Sequence, residues 1–523
     1  FLDNSIDEQL RAGAQRSQLA AIDNLGVFYS EQGEFKRAEE LITYSYNLKK
    51  QRLANDEFDL TISKIILAQS KVNTRDLDEA GHLLDEVLTN YKEEDASTNI
   101  WIPNAHLARA AIYREKNDYK NAALYYGKGE KMNRALLKNN FSKEFLEELG
   151  SMAVFYARHG KKEKAITLAT EAFEFSQAGL FKNTLREFNC TVNLAQTYFE
   201  LKEYKLAKKY SGQALRFEYK KIDEERKISD SILLQFEKPR ALAINIAATY
   251  ELEPNKTEES LKVLLNKVAQ GIKILEQRKT NIKTHSDLTA LISQNEELFE
   301  LAKKIRLQLY FITNEESYIN DVITIHESSL YNKIRSRLHF RQDMKFSNVP
   351  PSVLNREQQL KKNITTSLQE NKTGSINKFF EAQKQWDLFL DSLQNKFPKY
   401  YKLRYETIKE PLDNLQSTIS KNTTIVRYFF IEEQLYAVVL TKNSKHLIPL
   451  SFSEKDYALV QEHTLFDFNK NATSYHTLYQ LLWKPIEPYV NTTKVTIIPD
   501  GVLYNLSFET LTPTQIKSYK QLA

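Results

Sequence analysis

The segment G-E-F-K-R-A, from Gly33 to Ala38, recurs in altered form along the first half of the chain. The related segments are R-D-L-D-E-A (Arg75 to Ala80), N-D-Y-K-N-A (Asn117 to Ala122), G-K-K-E-K-A (Gly160 to Ala165) and K-E-Y-K-L-A (Lys202 to Ala207). Their closing alanines are separated by 42, 42, 43 and 42 residues. Self-similarity at a fixed period predicts a repeat architecture, in which each unit packs on its neighbours.

A second small residue keeps the same spacing, and in four of the five units a tyrosine follows it three positions later. The small residues are Gly26, Ala68, Ala110, Ala153 and Ala195, and the residues three positions later are Tyr29, Lys71, Tyr113, Tyr156 and Tyr198. This layout predicts a helical hairpin, with small side chains where two antiparallel helices cross. Gly33, Asn117 and Gly160 tolerate the left-handed backbone that ends the first helix.

The pattern resembles the tetratricopeptide repeat, whose usual period of about 34 residues is extended here to about 42. Long variants of this kind are similar to the repeats of kinesin light chains. HEAT repeats share the length but not the small–small–aromatic spacing, and a propeller would require strands. We expect a regular array across residues 18–220, followed by degenerate units near Ile246–Tyr250 and Tyr310–Leu338.

The pattern changes after Leu338, where Val349-Pro350-Pro351 interrupts the helical sequence. Two charged helical stretches follow, at about 352–370 and 375–394. These features predict a helical solenoid over 1–345 and a helical junction over 346–410. An α/β domain is expected over 411–523.

The α/β prediction depends on a change to strand-like periodicity after Thr424. T-I-V-R-Y-F-F-I (424–431) and Q-L-Y-A-V-V-L (434–440) are separated by two glutamates and predict a hairpin. We predict a third strand at 446–450, a helix at 478–486 and a buried strand at 494–500. This order of strand, helix and strand is typical of an α/β sheet.

Four segments resemble the CHAT domain, a relative of caspases and separase that is often fused to tetratricopeptide arrays in bacteria. They are Y-I-N-D-V-I-T-I-H-E-S-S (Tyr318 to Ser329), F-P-K-Y-Y (Phe397 to Tyr401), the V-R-Y-F-F hairpin (Val426 to Phe430) and I-I-P-D-G-V-L-Y-N-L-S-F-E-T-L (Ile497 to Leu511). The last segment is the most specific, although it has Ser507 where the family usually has proline.

The resemblance implies an α-solenoid of tetratricopeptide-type hairpins followed by the N-terminal part of a caspase-like α/β domain. Active members of that family resemble cysteine peptidases, in which a thiolate attacks the scissile carbonyl and a histidine transfers the proton. The family's histidine and cysteine follow the I-I-P-D-G segment, so both catalytic residues are expected beyond Ala523. No catalytic residue is assigned within the chain.

We interpret the other candidate residues as structural rather than catalytic. Cys190 is the single cysteine, lies among apolar helix positions and is interpreted as a core side chain. His326 is expected to decorate a helix, and His446 precedes the family's catalytic position. Asp500 is interpreted as a turn residue and Glu509 as part of a scaffold segment, rather than as an acid pair.

Composition limits the remaining classes of function. Lys plus Arg exceed Asp plus Glu by 73 − 68 = 5, and the charges are dispersed, which disfavours nucleic-acid binding. No apolar run is long enough to span a membrane. The histidines lack metal-binding spacing, and there is no glycine-rich phosphate loop, so neither a metal nor a cofactor is predicted. The compartment stays open between bacterial cytoplasm and periplasm.

Two hypotheses follow from these observations. In the first, the chain is the regulatory and partner-binding portion of a CHAT-family cysteine peptidase. Its solenoid would then bind a protein or peptide in the groove of the array. In the second, the CHAT-like domain is degenerate and the chain is a non-catalytic scaffold.

Overall fold

The computed structural model describes twelve stretches of the chain, which form two compact units. The stretches are 16–31, 33–52, 57–90, 101–138, 140–182, 184–217, 224–279, 285–338, 349–367, 375–405, 416–462 and 474–516. The array unit comprises 1–255, 266–298 and 332–407, and the sheet unit comprises 256–265, 299–331 and 408–523. The two units alternate along the chain, whereas the sequence predicted three consecutive domains; those boundaries remain predictions.

The array begins with five helical hairpins. Their helices are α1 (Arg16–Glu31), α2 (Phe35–Arg52), α3 (Glu57–Asn73), α4 (Leu77–Asn90), α5 (Trp101–Glu115), α6 (Tyr119–Leu137), α7 (Lys143–Arg158), α8 (Lys162–Ser176), α9 (Leu185–Glu200) and α10 (Tyr204–Leu215). Each odd-numbered helix packs against the even-numbered helix that follows it, and successive hairpins contact one another. The prediction of a tetratricopeptide-like helical array is therefore confirmed.

The two small positions of each repeat lie where the helices of a hairpin cross. All five closing alanines and the four alanines of the first small position are completely buried. At the remaining position, an added Cβ on Gly26 would approach Cγ1 of Ile42 to 2.5 Å and the carbonyl oxygen of Ala38 to 3.3 Å. These distances leave no room for a larger side chain without moving one helix away from the other.

All five hairpins use the same left-handed turn. The turn residues are Gly33, Arg75, Asn117, Gly160 and Lys202, with φ between 59° and 82°. In each turn the N–H of the following residue donates to the carbonyl of the tyrosine or lysine four residues before the turn residue, at 2.9 Å. This pairing satisfies carbonyls at the end of the first helix, as in a Schellman motif. The sequence indicated three of the turns, and Arg75 and Lys202 adopt the same backbone despite having a Cβ.

Lys71 replaces the expected aromatic residue because it is the centre of an ion cluster. Its Nζ lies 2.9 Å from Glu79, 3.1 Å from Asp76 and 3.3 Å from Glu39. Burial opposes the charge on this lysine, but the hydrogen bonds that it donates to Glu79 and Asp76, together with the charge of Glu39, hold the pKa of Lys71 above its ordinary value. An electrostatic contact thus takes the place of aromatic packing between the first two repeats.

Eight further helices lie between the regular hairpins and the first strand in the described stretches. They are α11 (Glu224–Leu252), α12 (Glu258–Lys279), α13 (His285–Gln294), α14 (Glu296–Thr313), α15 (Ser317–Leu338), α16 (Pro351–Ser367), α17 (Ser375–Lys396) and α18 (Pro398–Tyr405). Helix α11 packs against α9 and α10 as the next layer of the array. Glu258–Lys279 and Glu296–Thr313 each contribute residues to both units.

Helices α16 and α17 return to the first hairpin within the array unit. The ring of Phe379 on α17 is completely buried in a cluster with α1 and α2, and Ile364 of α16 packs at its edge. The guanidinium of Arg37 lies 5.5 Å from the ring of Phe380. The apolar surface of the first hairpin, which has no preceding repeat among the described residues, is therefore covered by a segment from much later in the chain.

The sheet unit contains a four-stranded sheet of order β3-β2-β1-β4. Its strands are β1 (Thr423–Ile431), β2 (Gln434–Leu440), β3 (Lys445–Pro449) and β4 (Lys494–Ile498). β1 and β2 form the predicted antiparallel hairpin, with Ile431 opposite Gln434, and β3 pairs antiparallel with β2. β4 pairs parallel with β1, with Thr423 opposite Lys494, which agrees with the expected crossover connection.

One face of the sheet packs on helices α14 and α15, and the other packs on the segment between β3 and β4 and on the residues after β4. Phe429, Ile431, Val438 and Leu440 contact the helices, and Tyr428 is buried on the opposite face. The prediction that 494–500 is a buried strand is wrong, because four of the five residues of β4 are exposed. The reason is that β4 has one neighbour, β1, in the described part of the sheet.

We expect Ala195→Leu to lower the free energy of unfolding of the array by about 1–3 kcal/mol, because three added carbon atoms must enter a filled helix crossing. Ala195 is completely buried. Ala20→Leu is the matched control, since Ala20 is exposed on α1. The measurement is urea denaturation followed by far-ultraviolet circular dichroism. Equal midpoints for the two variants would show that the repeat register is wrong.

Candidate functional site

The odd-numbered helices α1 to α11 lie side by side and form one surface of the array, called the inner face here. One side of α7 carries Glu147, Ser151, Val154 and Arg158, which are at least partly exposed, and one side of α9 carries Asn189, Asn193, Gln196 and Glu200, of which Asn193 and Gln196 are buried. Each set follows the spacing i, i+4, i+7 and i+11, so its members share one side of their helix. The accessible side chains of these two sets are therefore mainly charged or polar.

Ion pairs connect the first repeat with the fourth and fifth. Glu31, the last residue of α1, lies 3.4 Å from Nζ of Lys143 and 3.9 Å from the guanidinium of Arg186. Arg186 also pairs with Glu147 on α7. The array thus winds so that the end of α1 reaches the beginnings of α7 and α9, and the inner face is continuous across these repeats.

A second set of polar contacts joins neighbouring repeats at the ends of the inner helices. Arg158 donates to Glu200 through Nε and Nη2 at 2.9 and 2.8 Å, and Arg75 pairs with Glu115. Glu31, Asn73, Glu115, Arg158 and Glu200 follow the steps of the repeat. An alignment of the repeats at these five residues would have predicted a row of polar side chains at the ends of the inner helices. Our sequence interpretation did not use that signal.

Asn193 connects three successive inner helices. Its amide is buried (8% exposed), and Oδ1 accepts a hydrogen bond from Nη2 of Arg240 on α11 at 2.7 Å. Its Nδ2 lies 2.0 Å from the point where a Cβ on Gly150 of α7 would stand. Gly150 therefore provides the space that Asn193 occupies, and Asn193 in turn holds Arg240.

The inner helices also contain a carboxyl group with altered acidity. Burial raises the pKa of Glu148 on α7, and the positive charge of Arg114 partly opposes this effect. Arg114 donates from Nη1 to the hydroxyl of Tyr126 at 3.1 Å. The inner side of the array is therefore an environment in which charge is only partly solvated.

The outer helices form a separate cleft of about 1160 Å³ between α6 and α8. Its apolar wall consists of Phe141, Phe175 and Phe181, with successive ring centroids 4.6 and 5.9 Å apart. Arg134, at the rim, donates to both carboxylate oxygens of Glu171 at 2.7 Å. The positive charge of Arg134 is therefore already neutralised by the carboxylate of Glu171.

In the sheet unit, the structure brings together two residues that the sequence analysis interpreted separately. Nε2 of His326 on α15 lies 3.3 Å from Oδ2 of Asp500, immediately after β4. The N–H of Phe430 on β1 donates to the same oxygen at 3.0 Å. Burial alone would raise the pKa of Asp500, but His326, the Phe430 amide and the charge of Arg427 lower it to about 2.

Arg427 reinforces the same corner of the sheet. Its side chain is buried, with Nε 2.6 Å from Glu327 of α15 and Nη1 2.7 Å from the carbonyl of Pro499. His326 therefore does more than decorate a helix, since it contacts Asp500 just after β4, while the neighbouring Glu327 contacts Arg427 of β1. Asp500 does follow a strand and begin a turn, with Gly501 at φ +54°.

The remaining candidate residues lie apart from this corner. Cys190 is 1% exposed in the array core, and burial raises the pKa of its thiol to about 12 against a hydrogen bond with Ser176. The ring of His446 packs on Tyr489 at 4.5 Å. Glu509 is exposed, and no contact between Glu509 and Asp500 occurs in the described residues.

Two kinds of feature are absent from the described residues. No described helix combines the length and the apolar character that crossing a membrane requires. Within the same stretches, histidine, cysteine and carboxylate side chains do not gather in groups of three or more that could hold a metal ion.

Comparison with known proteins supports the repeat assignment. Residues 18–42 match the family model for the tetratricopeptide repeat. A crystal structure of a Rap protein complexed with competence and sporulation factor is similar over 71% of this chain and 99% of that chain. Its sequence identity is 13% and its TM-score is 0.36, so this likeness carries no functional argument. No curated protein matches the chain.

We expect Asp500→Asn to destabilise the sheet unit at neutral pH by about 2 kcal/mol, as a carboxyl pKa lowered from 3.8 to about 2 implies. A lowered pKa stabilises the folded state above the unfolded value near 4, and this contribution is lost as pH falls towards 2. The difference between wild type and variant should therefore shrink over that interval.

The measurement is urea denaturation followed by the fluorescence of Trp483, with the other two tryptophans, Trp101 and Trp386, replaced by phenylalanine in every protein. Glu509→Gln is the control, since it removes an exposed carboxylate of the same segment. A stability difference that stays constant from pH 7 to pH 2 would contradict the role assigned to the Asp500 charge.

Proposed function

We propose that the array binds a segment of polypeptide along its inner face. The observation that carries the proposal is the continuity of this polar face, which the contacts of Glu31 with Lys143 and Arg186 extend from the first hairpin to the fifth. Concave surfaces of stacked helical hairpins bind extended or helical segments because many side chains converge on one path. Charged and amide groups give such a path both donors and acceptors.

We further propose that the chain is the regulatory and partner-binding portion of a CHAT-family cysteine peptidase. The four segments that resemble the family support this assignment. The parallel pairing of β1 with β4 and the contacts of α15 with the corner after β4 are compatible with it. The alternative is a non-catalytic scaffold with a degenerate CHAT-like domain, and the inner face serves the same purpose in both cases.

Blocking the inner face should abolish polypeptide binding. We expect Ser151→Trp to weaken binding to an array of random dodecapeptides by at least about tenfold, because the indole would occupy the path between α7 and α9. Lys205→Trp is the matched control, since Lys205 is exposed on the outer helix α10. Binding is measured by fluorescence anisotropy of labelled peptides selected from the array. Equal affinities of the two variants would exclude the inner face as the binding surface.

The chain itself should not hydrolyse peptides. Its single cysteine is buried with a raised pKa, so the thiolate needed for attack is scarce at neutral pH. We expect no turnover of fluorogenic caspase-type substrates by purified residues 1–523, and the same background from Cys190→Ser. Turnover that a single substitution within this chain removes would overturn the proposal that catalysis depends on residues outside it.

A further inference from the structure

Arg240 differs from the other arginines of the inner helices. Arg109, Arg114, Arg158 and Arg186 each have a carboxylate oxygen within 4 Å. Among the described residues, Arg240 has no such partner, and its hydrogen bond goes to the neutral amide of Asn193 at 2.7 Å. Within the described stretches, no carboxylate is therefore in direct contact with this positive charge.

The surroundings of Arg240 make that charge unfavourable. The side chain is half-buried, and burial and the positive charge of Arg158 lower its pKa, while the charges of Glu237 and Glu297 act in the opposite direction from beyond ion-pair distance. A desolvated cation gains more from an anion than an exposed cation does, because water screens the interaction less. A bound anionic group would thus improve the local electrostatics.

The guanidinium is also held in a defined position. Asn193 orients it, and Asn193 is itself fixed against the backbone of α7 at Gly150, where a Cβ would meet Nδ2 at 2.0 Å and Cγ at 2.7 Å. Three successive inner helices therefore contribute one residue each to this arrangement. A planar guanidinium held in this way suits the planar, two-oxygen geometry of a carboxylate.

We propose that Arg240 anchors a carboxylate of the polypeptide that binds the inner face, an inference that rests on the proposed function. The carboxylate would accept hydrogen bonds from the guanidinium nitrogens that Asn193 does not use. It belongs either to an Asp or Glu side chain or to the C-terminus of the partner, since the same chemistry recognises both.

The nearby charges favour a polypeptide over a nucleic acid. Glu237 and Glu297 act electrostatically on Arg240, and Glu200 and Glu147 lie on the neighbouring helices. A polyanion would place further phosphates against these carboxylates, and like charges repel. A peptide with one carboxylate among neutral or basic residues matches this pattern.

The test uses the full chain and dodecapeptides selected by binding to the wild-type protein. Each peptide is made with a free and with an amidated C-terminus, and with every Asp and Glu either present or replaced by Asn and Gln. We expect binding to require one carboxylate. Loss of binding on amidation would identify the C-terminal carboxylate, and loss of binding on replacement of Asp and Glu would identify a side-chain carboxylate. Arg240→Gln should weaken binding of that peptide by about tenfold or more, and should not change binding of its carboxylate-free form.

Arg134→Gln is the matched control, because Arg134 lies on the outer helix α6 and is already paired with Glu171. Arg240→Lys keeps the charge without the planar fork and should retain part of the affinity. Gly150→Ala should weaken binding as a positioning change, by displacing Asn193. Thermal midpoints and circular dichroism identify any variant that fails to fold, and the comparison of peptides on the wild-type protein is independent of the variants.

The outcomes separate the two proposals. Peptides that bind the inner face equally well without any carboxylate, with no effect of Arg240→Gln, would overturn the anchor and leave the proposed function intact. Failure of the wild-type protein to bind any peptide would overturn both. Binding of a single-stranded dodecanucleotide that Arg240→Gln abolishes would assign the site to a nucleic acid and overturn the polypeptide anchor.

Discussion

The close crossing of two helices at a pair of small residues determines the geometry of the array. Gly26 and Ala38 meet in the first hairpin, and alanines occupy the equivalent places in the next four. This contact sets the distance between the helices, and the left-handed turn sets their direction. Because both recur every 42 or 43 residues, the outward side chains of each hairpin also recur in register. The polar residues of the inner face are therefore aligned by the repeat itself.

The sequence predicted the features that depend on local spacing. The hairpins, their small residues and the β1–β2 pairing all follow from periodicity over a few residues. Contacts between distant segments left no such trace. The pairing of His326 with Asp500 joins residues 174 positions apart. The hydrogen bond of Arg240 with Asn193 joins the last regular hairpin to α11, where the repeat has become irregular. The exposure of β4 was missed because an apolar run predicts a strand but not the number of its neighbours.

Charge is used differently in the two units. In the array, ion pairs connect helices that are already positioned by apolar crossings, as the Lys71 cluster and the Arg158–Glu200 contact illustrate. In the sheet unit, Arg427 is buried and donates to backbone carbonyls after β4, so it forms part of the structural core. Removing Arg158 leaves Glu200 partly exposed to water, whereas removing Arg427 leaves buried carbonyl groups without donors.

The packing of α17 on the first hairpin has a consequence for biosynthesis. Phe379 follows Tyr29 by 350 residues, yet both belong to one apolar cluster. At elongation rates of about 5–20 residues per second, the first hairpin waits roughly 20–70 s after its own synthesis before its covering helix is made. During this interval the first described hairpin presents an apolar surface, while later hairpins can already stack on its other side. That hairpin is therefore completed only after α17 has been made, although its own helices are made long before.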